Sequence, residues 1–434
     1  MVSFALVSLG CPKNQVDAEW LVQVLTSAGL RFEGNSLEAD VVLINTCAFI
    51  NSAREEAVDT IWSYVGLKKD KPEVKLVVAG CLVQGFGEEA KEGFPEVDFW
   101  IFGPEDSKGL KALIKSCGGR TSAVLDHSRR PVLLGEPGSA YLKVAEGCNN
   151  RCSYCSIPLI KGPLVSRSLK DIDADANYLL EQGVKEVVLI AQDLTAYGSD
   201  RKDGATLPKL VKKVLSHPFD WVRLMYVYPQ RINDELMDLM ASEERVCPYL
   251  DVPFQHSHPK VLELMGRKGS GGEYLELVHK LRERIPNMVL RTTFLVGHPG
   301  EGTKEFKNLM SFVEEAKFEW LGCFPYSPEE NTPSFDLPHR PRFSTAVRRA
   351  EEIELLYRDV RQTTQFGIGT VKEALVIDEV DDILVCRSAS EAPEVDGVIL
   401  ARKGTTNNPQ VGEMTKLKLI GSDELDFTGQ LVSS

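Results

Sequence analysis

Three cysteines close together in the chain have the spacing of an iron–sulfur site. Residues 147–155 read Gly-Cys-Asn-Asn-Arg-Cys-Ser-Tyr-Cys, which places Cys148, Cys152 and Cys155 in a CxxxCxxC pattern. Three thiolates can bind three irons of a 4Fe-4S cube and leave the fourth iron without a protein ligand. The amino-acid end of S-adenosylmethionine can chelate that open iron, and an electron from the reduced cluster then releases a 5′-deoxyadenosyl radical. The pattern therefore predicts radical chemistry on S-adenosylmethionine.

A structural zinc site is the alternative for these three cysteines. Zinc takes four protein ligands, usually arranged in the sequence as two close pairs, and no fourth Cys or His lies near residues 148–155. The three cysteines also follow the first predicted strand of their segment, which puts them on a loop at the carboxyl face, where barrel sites are built. Both points favour iron–sulfur over zinc.

A second set of three cysteines is spread over the first part of the chain, and each of its members follows a predicted strand. Cys11, Cys47 and Cys81 come after apolar runs at Val2–Leu9, Val41–Ile44 and Leu76–Ala79. The carboxyl ends of parallel strands meet at one edge of a sheet, where such sheets bind ligands. We therefore expect these thiolates to hold a second 4Fe-4S cluster, again with an open iron. The alternative is three buried and inert cysteines.

Other polar residues are weaker candidates. Gln192 and Asp193 follow a predicted strand, from which their side chains could reach the ribose or methionyl group of S-adenosylmethionine. The alternative is polar groups on surface loops. Gln255 and Arg267 are candidates of the same kind with less support. The sequence favours no metal role for a further set of residues, namely Cys117, Cys247, Cys323, Cys386, His256 and His258.

Hydrophobic periodicity divides the chain into three segments and predicts an α/β fold class. Residues 1–135 alternate strand and helix patterns, which predicts a parallel sheet with helices on its faces. Residues 136–365 contain six more strand patterns, which predicts an open, partial TIM-like (β/α) barrel, followed by a long helix over about Phe343–Thr364. Residues 366–434 contain short apolar runs bounded by Gly, Pro, Asp and Asn, which predicts a small antiparallel β-barrel.

The composition limits the class of protein. The chain has 434 residues, 43% hydrophobic and 26% charged, which is typical of a soluble globular protein with more than one domain. Its apolar runs fall short of the roughly 18 residues that a membrane helix needs, so we expect a cytoplasmic protein with no membrane partner. Ten cysteines in a long chain indicate metal or redox chemistry more than disulfides. The net charge of −13 disfavours a general nucleic-acid coat.

With these residues in view, the chain resembles the radical S-adenosylmethionine methylthiotransferases over nearly its whole length. The resemblance implies an N-terminal cluster domain, a radical barrel and a C-terminal TRAM β-barrel. The TRAM part rests on residues 392–397 (Ala-Pro-Glu-Val-Asp-Gly) and 426–429 (Asp-Phe-Thr-Gly). It also implies two uses of S-adenosylmethionine. One molecule methylates a sulfur held at the N-terminal cluster, and another is cleaved to a radical that opens a C–H bond for the methylthio group. Both open irons should then face one cavity.

Within that family the chain is most similar to the RimO type. The similarity rests on residues 8–14 (Ser-Leu-Gly-Cys-Pro-Lys-Asn), 45–50 (Asn-Thr-Cys-Ala-Phe-Ile) and 191–195 (Ala-Gln-Asp-Leu-Thr). The RimO type implies addition of a methylthio group to the β-carbon of an aspartate in small-subunit ribosomal protein twelve. The first alternative is the MiaB type, which modifies an adenosine of tRNA and usually has Cys-Gln-Met-Asn at the first cysteine.

Charge favours a basic protein as the partner. Residues 366–434 contain six Lys and Arg against twelve Asp and Glu, and an acidic barrel complements a basic ribosomal protein better than tRNA phosphates. The alternative is that this acidity is only a solvated face. We also expect a flavodoxin-like or ferredoxin-like electron donor, while the sequence does not indicate the sulfur donor. A non-catalytic iron–sulfur carrier is the alternative from another class, and two open irons disfavour it.

Overall fold

The structure is a computed structural model, and it describes residues 1–432 apart from 124, 365 and 405–407. The described residues do not include the predicted segment limit at residue 365. They also leave out residues 405–407 and 433–434 of the predicted third segment. Among the described residues, none of the helices combines the length and the apolarity needed to cross a bilayer.

The first part of the chain forms a parallel sheet, as predicted. Its strands are β1 (Ser3–Ser8), β2 (Arg31–Phe32), β3 (Val41–Thr46), β4 (Lys75–Gly80) and β5 (Phe99–Ile101). Its helices are α1 (Pro12–Ser27), α2 (Asn51–Asp70), α3 (Cys81–Gly93) and α4 (Ser107–Ser116). The strands lie in the order β2-β1-β3-β4-β5, and every pair is parallel. The two edge strands are short and were not predicted.

The first helix begins nearer to Cys11 than its apolar spacing predicts. The periodic pattern runs over Asp17–Ala28, whereas α1 starts at Pro12, directly after Cys11. Proline suits the first helical position because the amide hydrogen that it lacks would have no partner there. The early start places the first turn of α1, with Lys13 and Asn14, beside the thiol of Cys11.

The central part contains six parallel strands whose spatial order follows the chain. The strands of the sheet are β6 (Ser139–Lys143), β9 (Glu186–Ile190), β10 (Trp221–Leu224), β11 (Val246–Asp251), β12 (Val289–Val296) and β13 (Trp320–Pro325), and a small hairpin adds β7 (Ala145–Glu146) and β8 (Val165–Ser166). The helices are α5 (Ile157–Ile160), α6 (Leu169–Glu181), α7 (Leu207–Val214), α8 (Asp234–Ser242), α9 (Pro259–Leu264), α10 (Gly271–Arg284), α11 (Thr303–Ala316) and α12 (Phe343–Thr364). The sheet is open, as a partial barrel requires, and α12 has the predicted bounds.

The last part of the chain closes into a five-stranded barrel. Its strands are β14 (Val371–Val380), β15 (Ile383–Ser388), β16 (Ile399–Arg402), β17 (Met414–Asp423) and β18 (Asp426–Leu431), in the order β14-β15-β16-β18-β17. The pairs are antiparallel, as predicted, except that β16 and β18 run parallel. This pair arises because β17 crosses over before β18 returns beside β16.

A buried ionic network joins the C-terminal barrel to the central sheet. Glu186, at the start of β9, accepts hydrogen bonds from Arg223 Nε (2.7 Å) and from the guanidinium of Arg387. Arg387 also pairs with Glu136 at 2.8 Å, and Arg223 donates to the carbonyl of Ala389 at 3.0 Å. The two arginines hold the pKa of Glu186 at about 2, against the burial that opposes its charge. The barrel is therefore docked through paired charges as well as apolar contacts.

Candidate functional site

One cavity of about 370 Å³ lies between the N-terminal sheet and the carboxyl ends of the central strands. Its lining contains every residue that the sequence proposes for cofactor chemistry, namely Cys11, Cys47, Cys81, Cys148, Cys152, Cys155, Gln192, Asp193, Gln255 and Arg267. The dispersed cysteines come from three strand ends of one sheet, and the other three come from a single loop of the neighbouring sheet. The structure thus brings the two sets around one shared space.

Glycines before two of the N-terminal cysteines allow the strand ends to approach each other. Gly10 has φ +96, and a Cβ on it would lie 2.7 Å from the Cβ of Cys47. Gly80 has φ +92, and a Cβ there would lie 2.6 Å from the carbonyl oxygen of Thr46. Both conformations favour glycine, and both contacts leave no room for a side chain. The close spacing of the three strand ends therefore depends on these two residues.

An asparagine pair fixes the loops that carry Cys11 and Cys47, and sequence reasoning did not single it out. Asn14 Nδ2 donates to the carbonyl of Leu9 at 2.6 Å, and Asn45 Nδ2 donates to the carbonyl of Asn14 at 2.8 Å. Thr46 adds a hydrogen bond of 2.6 Å to the carbonyl of Ala79 on the next strand. All three side chains are buried. The available signal was the pair of polar residues Asn45 and Thr46 at the end of the otherwise apolar strand β3, directly before Cys47.

Burial favours the neutral form of four of these thiols. It raises the pKa of Cys81 and that of Cys155 to about 12, and it also raises the pKa of Cys47 and of Cys148. Lys161, beside Cys81, opposes this effect. Metals bind thiolates, so loading these sites must displace protons. Cys11 and Cys81 also stand at the starts of α1 and α3, where helix termini favour negative charge.

The loop that carries the second set of cysteines is held by close backbone contacts. Gly147 has φ +73, and a Cβ on it would lie 2.1 Å from the carbonyl oxygen of Pro163. Ser153, between Cys152 and Cys155, donates from its hydroxyl to the carbonyl of Leu264 at 2.6 Å, and its amide donates to Met265 at 2.9 Å. The loop is therefore attached to the segment after α9, which also carries Arg267.

Asp193 holds this loop from the next strand along. Its carboxylate accepts from Asn150 Nδ2 at 2.7 Å and forms an ion pair with Arg231, and Arg231 in turn donates to Asn150 Oδ1 at 2.9 Å. Thr195 also donates to it at 2.5 Å. With its oxygens so engaged, Asp193 positions the cysteine loop. The sequence drew attention to Asp193 but not to Asn150 or Arg231, which lie far apart in the chain.

Gln192 and Arg267 present polar groups to the cavity in different ways. Gln192 donates to Glu146, while its Oε1 is buried and has no hydrogen-bond partner in the structure. Arg267 donates to the carbonyl of Pro253 at 2.8 Å and to the hydroxyl of Tyr154 at 3.3 Å, and its guanidinium lies 4.4 Å from the ring centre of Tyr228. Gln192 therefore has unused bonding capacity, whereas Arg267 is largely engaged.

The residues for which the sequence favoured no metal role lie away from this space. Cys247, Cys323 and Cys386 are buried free thiols, and Cys117 is partly exposed. His256 is buried, with its Nδ1 accepting from the amide of His258 at 3.0 Å. None of these six lines the cavity.

Comparison with known proteins decides the family. The chain matches the Uncharacterized protein family UPF0004 over residues 3–102, the Radical SAM superfamily over 142–313 and the TRAM domain over 368–432. It is 38% identical to the ribosomal protein uS12 methylthiotransferase RimO of Syntrophotalea carbinolica, over 99% of this chain and 96% of that one. It is 40% identical to the protein of the same name from Thermotoga maritima, over 98% of each. The chain belongs to the RimO methylthiotransferase family. It is therefore a transferase of the radical S-adenosylmethionine type, as predicted.

Solved structures share the fold at low identity. The radical S-adenosylmethionine methyltransferase TsrM from Kitasatospora setae is similar with a TM-score of 0.56 and 17% identity, over 77% of each chain. The enzyme OxsB gives a TM-score of 0.52 and 11% identity, over 82% of this chain and 56% of that one. The predicted α/β fold class is confirmed.

The thiols fit the cofactors of the RimO family, which are S-adenosylmethionine and 4Fe-4S clusters. Six thiols stand in two groups of three around one cavity. In the part of the chain that the structure describes, no three Cys, His, Asp or Glu side chains converge as a single metal ion would require. In a cubane cluster each iron takes its own thiolate, so the ligands stand apart. Two groups of three thiols are the ligand number that two such clusters, each with one open iron, require.

Proposed function

We propose that this chain adds a methylthio group to the β-carbon of an aspartate in ribosomal protein uS12. The observation that carries the proposal is that both sets of three cysteines line one cavity, in a chain of the RimO family. A methylthio group held at one set is then within reach of a carbon activated at the other. The β-carbon of aspartate carries a strong, non-acidic C–H bond, so removal of a hydrogen atom is the plausible route to it.

The two cysteine sets have separate roles in this proposal. Cys148, Cys152 and Cys155 hold the 4Fe-4S cluster that binds S-adenosylmethionine. The other cluster is held by Cys11, Cys47 and Cys81. When bound, these groups supply the radical that removes the hydrogen atom and the methylated sulfur that replaces it. The chain's own contribution is to place both sets at one cavity, through the strand ends and the loop described above.

Gln192 is the residue that we assign to S-adenosylmethionine. Its unpartnered Oε1 is a buried acceptor at the cavity wall, suited to an ammonium or hydroxyl donor of the cofactor. Asp193, the other residue that the sequence proposed for S-adenosylmethionine, acts mainly through Asn150 and Arg231, by keeping the Cys148–Cys155 loop in place.

Replacing each set of cysteines by alanine tests the assignment of the clusters. Anaerobically reconstituted wild-type protein should hold about eight irons per chain, four for each cubane. The variant lacking Cys148, Cys152 and Cys155 should hold about half and lose cleavage of S-adenosylmethionine. The variant lacking the other three should also hold about half, yet keep cleavage without forming the methylthio product. Mass spectrometry of uS12 reads the product, and full iron in either variant would remove that set from the cluster sites.

The acidic barrel is our candidate for recruiting uS12, which as a ribosomal protein is expected to be basic. Its charge is most concentrated at the acidic turn, the name used here for the end of β14 and the turn to β15, where four carboxylates are exposed: Asp378, Glu379, Asp381 and Asp382. Two of them have basic partners on the barrel, Glu379 with Lys403 and Asp382 with Arg402 at 3.7 Å. The others have none in the described part of the barrel. The negative potential of these carboxylates attracts a basic partner and repels phosphates.

Charge reversal tests this recruitment. Changing the four acids of the acidic turn to Lys should slow association with uS12, and the rate should lose much of its dependence on salt. A matched control changes four other exposed acids to Lys. These acids lie on α11 and α12 and do not line the cavity: Glu314, Glu315, Glu351 and Glu354. If both variants behave alike, overall charge and not the acidic turn governs association. Tight binding and thiomethylation of tRNA by the wild type would transfer the assignment to the MiaB type.

Further partners and the domain limits complete the proposal. A flavodoxin-like or ferredoxin-like protein supplies electrons, and the reaction takes place in the cytoplasm, where ribosomal subunits are made. We place the domains at residues 1–135, 136–365 and 366–434. Limited proteolysis should cut first near these two limits.

A further inference from the structure

We propose that Lys13 binds the side-chain carboxylate of the substrate aspartate and so selects an acidic residue for methylthiolation. The inference rests on the proposed function, because it concerns the group that enters the cavity. Lys13 lies in the first turn of α1, two residues after Cys11, and it lines the cavity between the two sets of cysteines. It is buried, with 8% of its surface exposed. A buried ammonium is costly unless it is paired with an anion.

Lys13 is bonded less fully than Lys161 and Arg267, the other two cations that line the cavity. Lys161 pairs with Asp17 at 3.2 Å and lies 3.7 Å from Glu146. Arg267 is hydrogen-bonded to the Pro253 carbonyl and the Tyr154 hydroxyl and lies over the ring of Tyr228. Among the ion pairs of the described residues, none includes Lys13, and its Nζ lies 3.2 Å above the ring centre of Tyr226. The Tyr226 side chain stabilises the cation and the Asp251 carboxylate attracts it through space. Among the described residues no carboxylate forms an ion pair with the ammonium, whose three donors can bind one.

Tyr226 is itself held in an unusual backbone conformation to support this lysine. Its φ is +64, a left-handed and strained value that a bulky residue rarely adopts. The conformation is fixed by hydrogen bonds from the amide of Leu194 to the carbonyl of Tyr226 (2.9 Å) and from the amide of Tyr226 to Asp251 (3.3 Å). Asp251 in turn pairs with Arg291 at 3.4 Å. Strain of this kind is typical of functional sites, and here it sets the ring beneath Lys13.

The placement suits an aspartate substrate in particular. The β-carbon of aspartate is bonded directly to the carboxylate, so an ion pair with Lys13 would hold the reacting carbon inside the cavity, between the two sets of cysteines. An asparagine or a neutral base would enter without that pairing and would leave the lysine unpaired. A site that offers a buried charge discriminates strongly against a ligand that lacks the matching group.

The test compares the wild-type and the K13M enzyme, each with two forms of the substrate. Lys13→Met keeps the length and apolar stem of the side chain and removes the charge. The second substrate is uS12 with its target aspartate changed to asparagine, which lacks the matching charge. With wild-type enzyme, anaerobic binding should favour uS12 over the asparagine variant by about 10²-fold, the range for a buried charge pair that loses one partner. With K13M this preference should fall to near one, and KM for uS12 should rise more than kcat falls.

Controls separate this role from a structural one. K13M should keep the wild-type iron content and the cleavage of S-adenosylmethionine without substrate, and Lys13→Arg should retain a preference for aspartate. If K13M weakened the binding of both substrates equally, the inference would be overturned. Loss of iron or of S-adenosylmethionine cleavage would also overturn it, because Lys13 would then act on the cofactors. If the wild-type enzyme fails to modify uS12 at all, the proposed function is wrong. If the wild type modifies uS12 and K13M modifies it equally well, only the role of Lys13 is wrong.

Discussion

Gly80 offers a direct test of whether the strand ends set the positions of the N-terminal thiols. Its φ of +92 and ψ of −151 belong to a region reached almost only by glycine, which costs another residue about 1–3 kcal/mol. A Cβ there would lie 2.6 Å from both Asn45 Oδ1 and the carbonyl oxygen of Thr46. Relieving such an overlap in packed surroundings costs about 1–3 kcal/mol more. Gly80→Ala should therefore lower the free energy of unfolding by roughly 2–6 kcal/mol, or move Cys81 away from Cys47.

Either response should be visible in the iron content. After anaerobic reconstitution, G80A should hold about four irons per chain instead of eight, while S-adenosylmethionine cleavage at the other set of cysteines persists. Gly87→Ala is the matched control, because Gly87 lies in the same helix, α3, and a Cβ there meets only Val83 at an ordinary 3.8 Å. That change should be neutral or stabilise by up to about 1 kcal/mol. A G80A protein with full iron and a wild-type urea midpoint would refute the argument from strand ends.

Three further predictions concern the rest of the site and its support. Gly147→Ala should remove the other four irons, roughly half the total, and abolish S-adenosylmethionine cleavage, since its Cβ would meet a carbonyl at 2.1 Å; normal cleavage would contradict this. Asp193→Asn should slow cleavage about 10- to 100-fold through loss of its bond to Arg231, with iron unchanged. Glu186→Gln should lower the free energy of unfolding by about 3–5 kcal/mol at neutral pH, because Arg223 and Arg387 lose their buried anion. The folded pKa of Glu186 is about 2, below its usual 4.5, so its contribution is present above about pH 5 and disappears as the pH falls toward 2. A difference between wild type and E186Q that grows on acidification would show that this assignment is wrong.

Much of the candidate site could be predicted because its signals are local. The CxxxCxxC set needs only one loop, so its spacing is readable in the sequence. Cys11, Cys47 and Cys81 could be grouped because each follows an apolar run, and parallel strands bring their carboxyl ends to one edge. The same argument predicts Gln192 and Asp193 at this edge; both line the cavity, and Asp193 also bonds to the cysteine loop.

The residues that sequence reasoning missed depend on side chains meeting across distant segments. Nothing in the chain order relates Asn150 to Arg231, or Lys13 to Tyr226. The short edge strands and the parallel pair β16–β18 were missed for a related reason, since two to six residues carry little periodic signal of their own. Their pairing is decided by the strands already in place beside them.

The sequence alone determined the order of the three parts, the α/β class, the two sets of cysteines and the acidity of the last segment. These are set by residue type and by periods of two or about 3.6 residues within one element. Only the tertiary structure decided that both sets face one cavity, that Lys13 is left without an acidic partner there, and that Glu186 joins the barrel to the central sheet. Such features follow from the docking of whole sheets, whose energy is spread over many contacts, each too small and too distant in the chain to leave a local pattern.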